Sequence, residues 1–111
     1  MAIAKTTAFS QQEQDLAIFA KVMGHPARIA ILNVLAKEKG CICGKIVDVL
    51  PLAQSTVSQH LKELKNAGLI KGTVDGPKSC YCINWETIEA FKKQFNELFS
   101  TMQNSKEKSC C

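Results

Sequence analysis

Between Ser55 and Ile83 the apolar residues of this chain change period once, and that change limits the folds open to it. From Ser55 to Ala67, Val57, Leu61 and Leu64 step by four and three, the spacing of one narrow helix face, and Gly68 closes the segment. From Leu69 the helical spacing stops. Leu69 to Val74 and Ser79 to Ile83 read as strands, and Asp75-Gly76-Pro77 between them is turn chemistry. A helix is therefore followed at once by a β-hairpin. Upstream, the segment Cys41 to Leu50 has Ile46, Val47, Val49 and Leu50 apolar and reads as a helix of about two turns. Pro51 ends it, and Leu52-Ala53-Gln54 makes a tight connection. Two short helices across a tight turn, then a hairpin, describe a winged helix-turn-helix: a mainly α fold with a β-hairpin wing.

The flanking segments are also helical. Ser10-Gln11-Gln12-Glu13 has capping-box spacing, and Leu16, Phe19, Ala20 and Met23 recur helically to about Gly24. His25-Pro26 opens a second helix carrying Ala27, Ala30, Ile31, Val34 and Leu35 on one face. Ile29 and Leu32 widen that face, which predicts deep burial, and Gly40 stops the helix. Asn84 caps a last helix through about Gln103, in which Ile88, Phe91, Phe95, Leu98 and Met102 form a heptad-like seam broadened by Phe99. A chain of 111 residues, 46% apolar, makes one domain over residues 1–103 with a flexible cysteine-containing tail over 104–111. No apolar run is long enough to span a membrane and no targeting segment is visible, so a cytoplasmic chain with no membrane partner is expected.

The helix over 55–67 has the chemistry of a DNA-reading helix. Ser55, Thr56 and Ser58 lie at its N-terminus, where phosphate is favoured. Gln59 can make a bidentate contact to adenine. Lys62 and Lys65 can meet the DNA backbone, and Lys71 and Lys78 can do so from the wing. His60 borders the apolar stripe and suits either a DNA contact or the edge of the core. The net charge of +4 permits a polyanionic partner without demanding one. No Cys-x-x-Cys motif and no Ser/His/Asp set at catalytic spacing points to an enzyme, and nothing calls for an organic cofactor.

Six cysteines fall in three close pairs, Cys41/Cys43, Cys80/Cys82 and Cys110/Cys111. In a reducing compartment paired thiols point to metal binding or redox chemistry. Cys80 and Cys82 have strand spacing, so both point to one face of the sheet. Cys110 and Cys111 sit on the tail, where binding costs chain entropy.

Gly24-His25-Pro26-Ala27-Arg28, Cys41-Ile42-Cys43, the run Ser55 to Leu64, and Ala67-Gly68-Leu69-Ile70 together resemble the ArsR-type metalloregulators, over roughly residues 13 to 103. The resemblance implies a homodimer joined through the first and last helices, with Leu16, Phe19, Ile88, Phe91, Phe95, Leu98 and Met102 at the interface. It implies an inverted-repeat operator in double-stranded DNA as partner, and repression relieved by a bound inducer.

In arsenic-sensing members a Cys-x-Cys stands where Cys41 and Cys43 fall, so the resemblance implies arsenite or antimonite as inducer, with a third thiolate from Cys80, Cys82, Cys110 or Cys111. Gly44 stands where the family usually has an acidic residue, and residues 86 to 103 contain no His for a metal site on the last helix. Two alternatives remain at this stage. Another thiophilic metal, cadmium, lead or zinc, can take four thiolates from Cys41, Cys43, Cys80 and Cys82. The paired thiols can also sense oxidants or reactive sulfur. Cys41 and Cys43 on a helix would point about 200° apart, so inducer capture is expected to unwind the start of that helix.

Overall fold

The structure, a computed structural model, describes residues 8–43, 50–73 and 79–106. Its elements follow in the order α1 (Gln11–Met23), α2 (Pro26–Lys37), β1 (Cys41–Cys43), α3 (Gln54–Asn66), β2 (Ile70–Thr73), β3 (Cys80–Ile83) and α4 (Trp85–Ser105). The turn Asp75-Gly76-Pro77, Lys78, the segment 44–49 and the tail cysteines Cys110 and Cys111 lie outside the described residues.

Helix starts follow local sequence chemistry. The Ser10 hydroxyl accepts from the Glu13 N–H at 3.1 Å, and the Glu13 carboxylate accepts from the Ser10 N–H at 2.9 Å. This closed capping box satisfies two otherwise orphaned donors of α1. At α2, Pro26 occupies the first turn and His25 Nδ1 accepts from the Ala27 N–H at 3.0 Å. At α4, Asn84 Oδ1 accepts from the Thr87 N–H. The α2 end tightens through Gly40, whose N–H donates to the Leu35 carbonyl at 2.7 Å and whose φ is +93°. Gly40 lies so close under the Trp85 ring that a Cβ there would sit 3.1 Å from it.

The core joins α2 and α3 to the sheet. Ile31 and Leu35 from α2, Val57, Leu61 and Leu64 from α3, and Leu69, Ile70, Tyr81 and Ile83 from the hairpin are all buried, with Phe19 of α1 closing one side. Each such side chain contributes on the order of 1.5–3 kcal/mol by leaving water. The α2 face is narrower than its sequence predicts: Leu32 is half-buried and Ile29 is 40% exposed. No single described helix is long and apolar enough to cross a membrane.

One element differs from expectation. Cys41–Cys43 is a strand and not the start of a helix. It pairs antiparallel with β3, giving the sheet order β1-β3-β2 and the register Cys41 opposite Cys82, Ile42 opposite Tyr81 and Cys43 opposite Cys80. The physical reason is alternation. Ile42 packs half-buried against the core while its two neighbours face out, and the ladder pairs the strand backbone. Three residues are too few to reveal a period of two, and the apolar positions of 46–50 extend the helical reading back over them.

Among the described residues of the hairpin, Gly72 is a point of close backbone approach. Its φ is +121°, and a Cβ there would collide with the Cys80 carbonyl oxygen on β3. Gly72→Ala is therefore expected to destabilise the fold by about 1–3 kcal/mol, read as a lower denaturation midpoint with the α-helical signal retained. An unchanged midpoint would show that the β2–β3 approach is looser than described.

Candidate nucleic-acid interface and thiol face

Two surfaces carry chemistry, and the first is the outer side of α3. Val57, Leu61 and Leu64 turn inward, which leaves Ser55, Thr56, Gln59, Lys62 and Lys65 exposed and Ser58 half-buried on the other side. The N-cap residue is Ala53, which supplies no side-chain hydrogen bond. The first-turn N–H groups of α3 are thus not capped by their own N-cap residue, the arrangement that suits a phosphate oxygen. Gln59 Nε2 donates to Glu63 Oε1 at 3.2 Å one turn on, an exposed bond that is easily exchanged for a base edge. Lys71 is exposed on β2, beside this helix in the chain, and Lys78 lies outside the described residues.

His60 does not belong to this outer face. It is 8% exposed, and its Nδ1 accepts from Arg28 Nε at 3.1 Å. The same guanidinium donates to the Val22 carbonyl at 3.0 Å, and the His25 ring lies 4.4 Å from that of His60, centre to centre. Of the two roles the sequence left open for His60, the structure places it at the core edge, turned toward α2. Burial holds its pKa below the usual histidine range, with His25 and Arg28 pushing the same way and Glu63 opposing. Arg28 was legible only as part of the Gly-His-Pro-Ala-Arg string; nothing in the sequence pairs it with a residue on α3.

The second surface is the outer face of the sheet. Strand alternation turns Ile42, Tyr81 and Ile83 inward and all four sheet cysteines outward. Cys41 is disulfide-bonded to Cys82 and Cys43 to Cys80, across directly opposed register positions. Continuing each row, Lys71 on β2 stands opposite Cys82 and Thr73 opposite Cys80. The expected helix-unwinding mechanism is thereby corrected: on a strand, Cys41 and Cys43 already share one face and need no unwinding to act together. In the disulfide form these sulfurs are not free thiolate ligands, and no group of three or more His, Cys, Asp or Glu side chains among the described residues stands ready to hold a metal.

The expected interface seam divides. α1 and α4 run antiparallel, with Gln12 bonded to Glu97 and Phe19 against Phe91 and Phe95. Phe19 is buried in the chain's own core, and Ile88, Phe91 and Phe95 pack against that core. Leu16 is half-buried. Leu98, Phe99 and Met102 are 41%, 58% and 49% exposed, and Ile18 on α1 is 58% exposed. Ile18 was missed because it lies off the helical stripe that packs α1.

The described part of this architecture is shared with known proteins. A family model described as "Bacterial regulatory protein, arsR family" matches residues 25–71, from the α2 cap through β2. The transcriptional repressor PagR of Bacillus anthracis is 36% identical over 85 residues, 77% of this chain and 85% of the relative. The chain belongs to the arsR family of bacterial regulatory proteins. An arsenical resistance operon repressor of Staphylococcus xylosus is 29% identical over 76 residues, 68% of this chain and 72% of the relative. In fold, an ArsR-like transcriptional regulator from Rhodococcus sp. RHA1 superposes with a TM-score of 0.68 at 15% identity, over 86% of this chain and 89% of that one. As an arsR-family member the protein is a helix-turn-helix transcriptional repressor and not an enzyme.

The α3 surface gives a direct test. On a DNA-reading role for this face, Gln59→Ala is expected to cost about 1–3 kcal/mol at one base position and to relax specificity there. Lys65→Ala is expected to weaken all sequences alike and to lower the salt dependence of binding by about one phosphate contact. Fluorescence anisotropy over a salt series measures both, and identical behaviour of the two variants would contradict the division of roles.

Proposed function

We propose that this repressor is a homodimer whose grip on its operator is set by the four thiols of the sheet. The observation that carries the reading is the register of β1 on β3, which faces Cys41 with Cys82 and Cys43 with Cys80, each within disulfide reach. In the reduced chain each pair is a dithiol. Closing it releases two protons and passes two electrons to an oxidant, a peroxide or a reactive sulfur species, with one S–S bond formed. A transcriptional repressor works beside the chromosome, in a compartment that keeps thiols reduced. Disulfides in that setting are a transient signal, and reductants reverse them.

The site is placed to be consequential. Lys71 stands opposite Cys82 in the β2–β3 register, on the same face of the sheet. β1 leads into the connection before α3, and β3 pairs with β2 and continues into α4. Bonding β1 to β3 therefore constrains the chain on both sides of the reading helix. A coupling of about 1–3 kcal/mol is typical, and corresponds to roughly 5–150-fold weaker operator binding in the oxidised form.

A second reading keeps the sulfurs and changes the signal to arsenite or antimonite. It is favoured by the donor set: once reduced, four soft ligands share one sheet face, and trivalent arsenic needs three. The name of the Staphylococcus xylosus relative points the same way. Four thiolates would equally suit cadmium, lead or zinc. Operator affinity of the reduced, anaerobic protein, measured with diamide, arsenite, cadmium and zinc in turn, separates these signals. The expected result is loss of affinity with diamide, abolished in Cys41→Ser/Cys43→Ser. Loss with arsenite and none with diamide would replace the redox reading by the metalloid one. Loss that persists in the double variant would remove the sheet thiols from both.

The dimer rests on the exposed apolar end of α4. Leu98, Phe99 and Met102 have few neighbours in their own chain, and a two-fold partner would cover them. Two reading helices would then stand about 34–36 Å apart, one DNA turn, on an inverted repeat. Phe99→Glu is expected to shift the protein to a monomer in sedimentation and to weaken operator binding at least tenfold, the loss of one half-site. A dimer that survives this change would place the interface elsewhere.

A further inference from the structure

The only two histidines of the chain, His25 and His60, stand ring to ring where α2 meets the reading helix. His60 is buried on the inner side of α3. Arg28 and His25 face it from α2, and Glu63 from its own helix. α1 contributes through the Val22 carbonyl, which holds the far side of the Arg28 guanidinium. An arginine Nε is always a donor. Its 3.1 Å contact with His60 Nδ1 therefore requires that nitrogen to be an unprotonated acceptor. A proton there would set N–H against N–H beside a permanent cation, with a second imidazole close by.

We propose that Arg28 and His60 are positioning residues for the reading helix, and that operator binding requires neutral His60, so that acidification by itself loosens the repressor from DNA. This device is separate from the thiol face, since none of its groups lies on the sheet. The sign follows from linkage. The docked helix disfavours the proton, so the released state binds more protons once the pH falls through the ordinary histidine range near about 6.5. The contribution of the Arg28–His60 bond is complete above that range and is lost below it. Desolvation of the buried ring acts in the same direction.

His60→Asn places an amide oxygen where Nδ1 stands and keeps the acceptor for Arg28 without a titrating group. His25→Asn keeps the α2 cap acceptor and removes the other imidazole. Operator affinity of the full chain, with its disulfides fixed in one state, is measured from about pH 8 to about pH 5.5, a span that brackets histidine titration. The wild type is expected to lose roughly 3- to 10-fold more affinity than His60→Asn over that span, within the tenfold-per-pH-unit limit of one linked proton. His25→Asn is expected to retain most of the wild-type loss. A loss of equal size in His60→Asn, or one removed only by His25→Asn, overturns the proposal. Because His60→Asn can fail to fold, a second readout uses the wild type alone. In an NMR titration the His60 imidazole and the α3 amides are expected to shift with one midpoint, and α3 amides that stay still while His60 titrates overturn the proposal as well.

Discussion

The antiparallel pairing of a three-residue strand with β3 is the constraint on which the rest depends. Without β1, Ile42 would leave the core and the N–H and C=O groups on that edge of β3 would lose their ladder. With it, the chain between α2 and α3 is tied to the wing, and the Gly40 carbonyl accepts from the Ile83 N–H at 2.7 Å just before α4 begins. The same pairing decides the chemistry. Strand alternation sends Ile42 inward, so the cysteines on either side must both face out, and register sets each opposite another cysteine. Core packing and thiol geometry are consequences of one alignment, and a slip of one residue would destroy both.

Around that strand the molecule holds α3 by two different means. Val57, Leu61 and Leu64 supply non-directional burial. Arg28 and His60 supply a directional bond from α2. Apolar packing resists separation of the helices but is tolerant of small rotations. A bond at 3.1 Å between two partly buried side chains is not, so it adds a directional restraint to the orientation that Val57, Leu61 and Leu64 give α3. On the proposed DNA-reading role of α3 that restraint matters, because a side chain reads a base edge only at a defined angle to the groove.

Most of the architecture was legible from spacing. The helical stripes of α1, α2, α3 and α4, the caps at Ser10, His25-Pro26 and Asn84, and the hairpin strands all follow from local pattern. What local pattern does not carry is partnership between distant segments. That Cys41 meets Cys82, that Arg28 meets His60, and that Phe19 belongs to the chain's own core are long-range facts. The cysteines themselves stood out at once, yet their arrangement was misread because Cys41-Ile42-Cys43 is too short to show its period. The outer face of α3 was read more fully, since a helix reveals its inner and outer sides from its own residues.

The central claim is that closing the sheet disulfides and leaving the operator are one event. It is tested by a redox titration in which operator occupancy and disulfide content are read on the same samples, the latter by differential alkylation and mass spectrometry. The account predicts that occupancy falls along the curve on which the Cys41–Cys82 and Cys43–Cys80 peptides appear. Full occupancy after both disulfides have closed would contradict it.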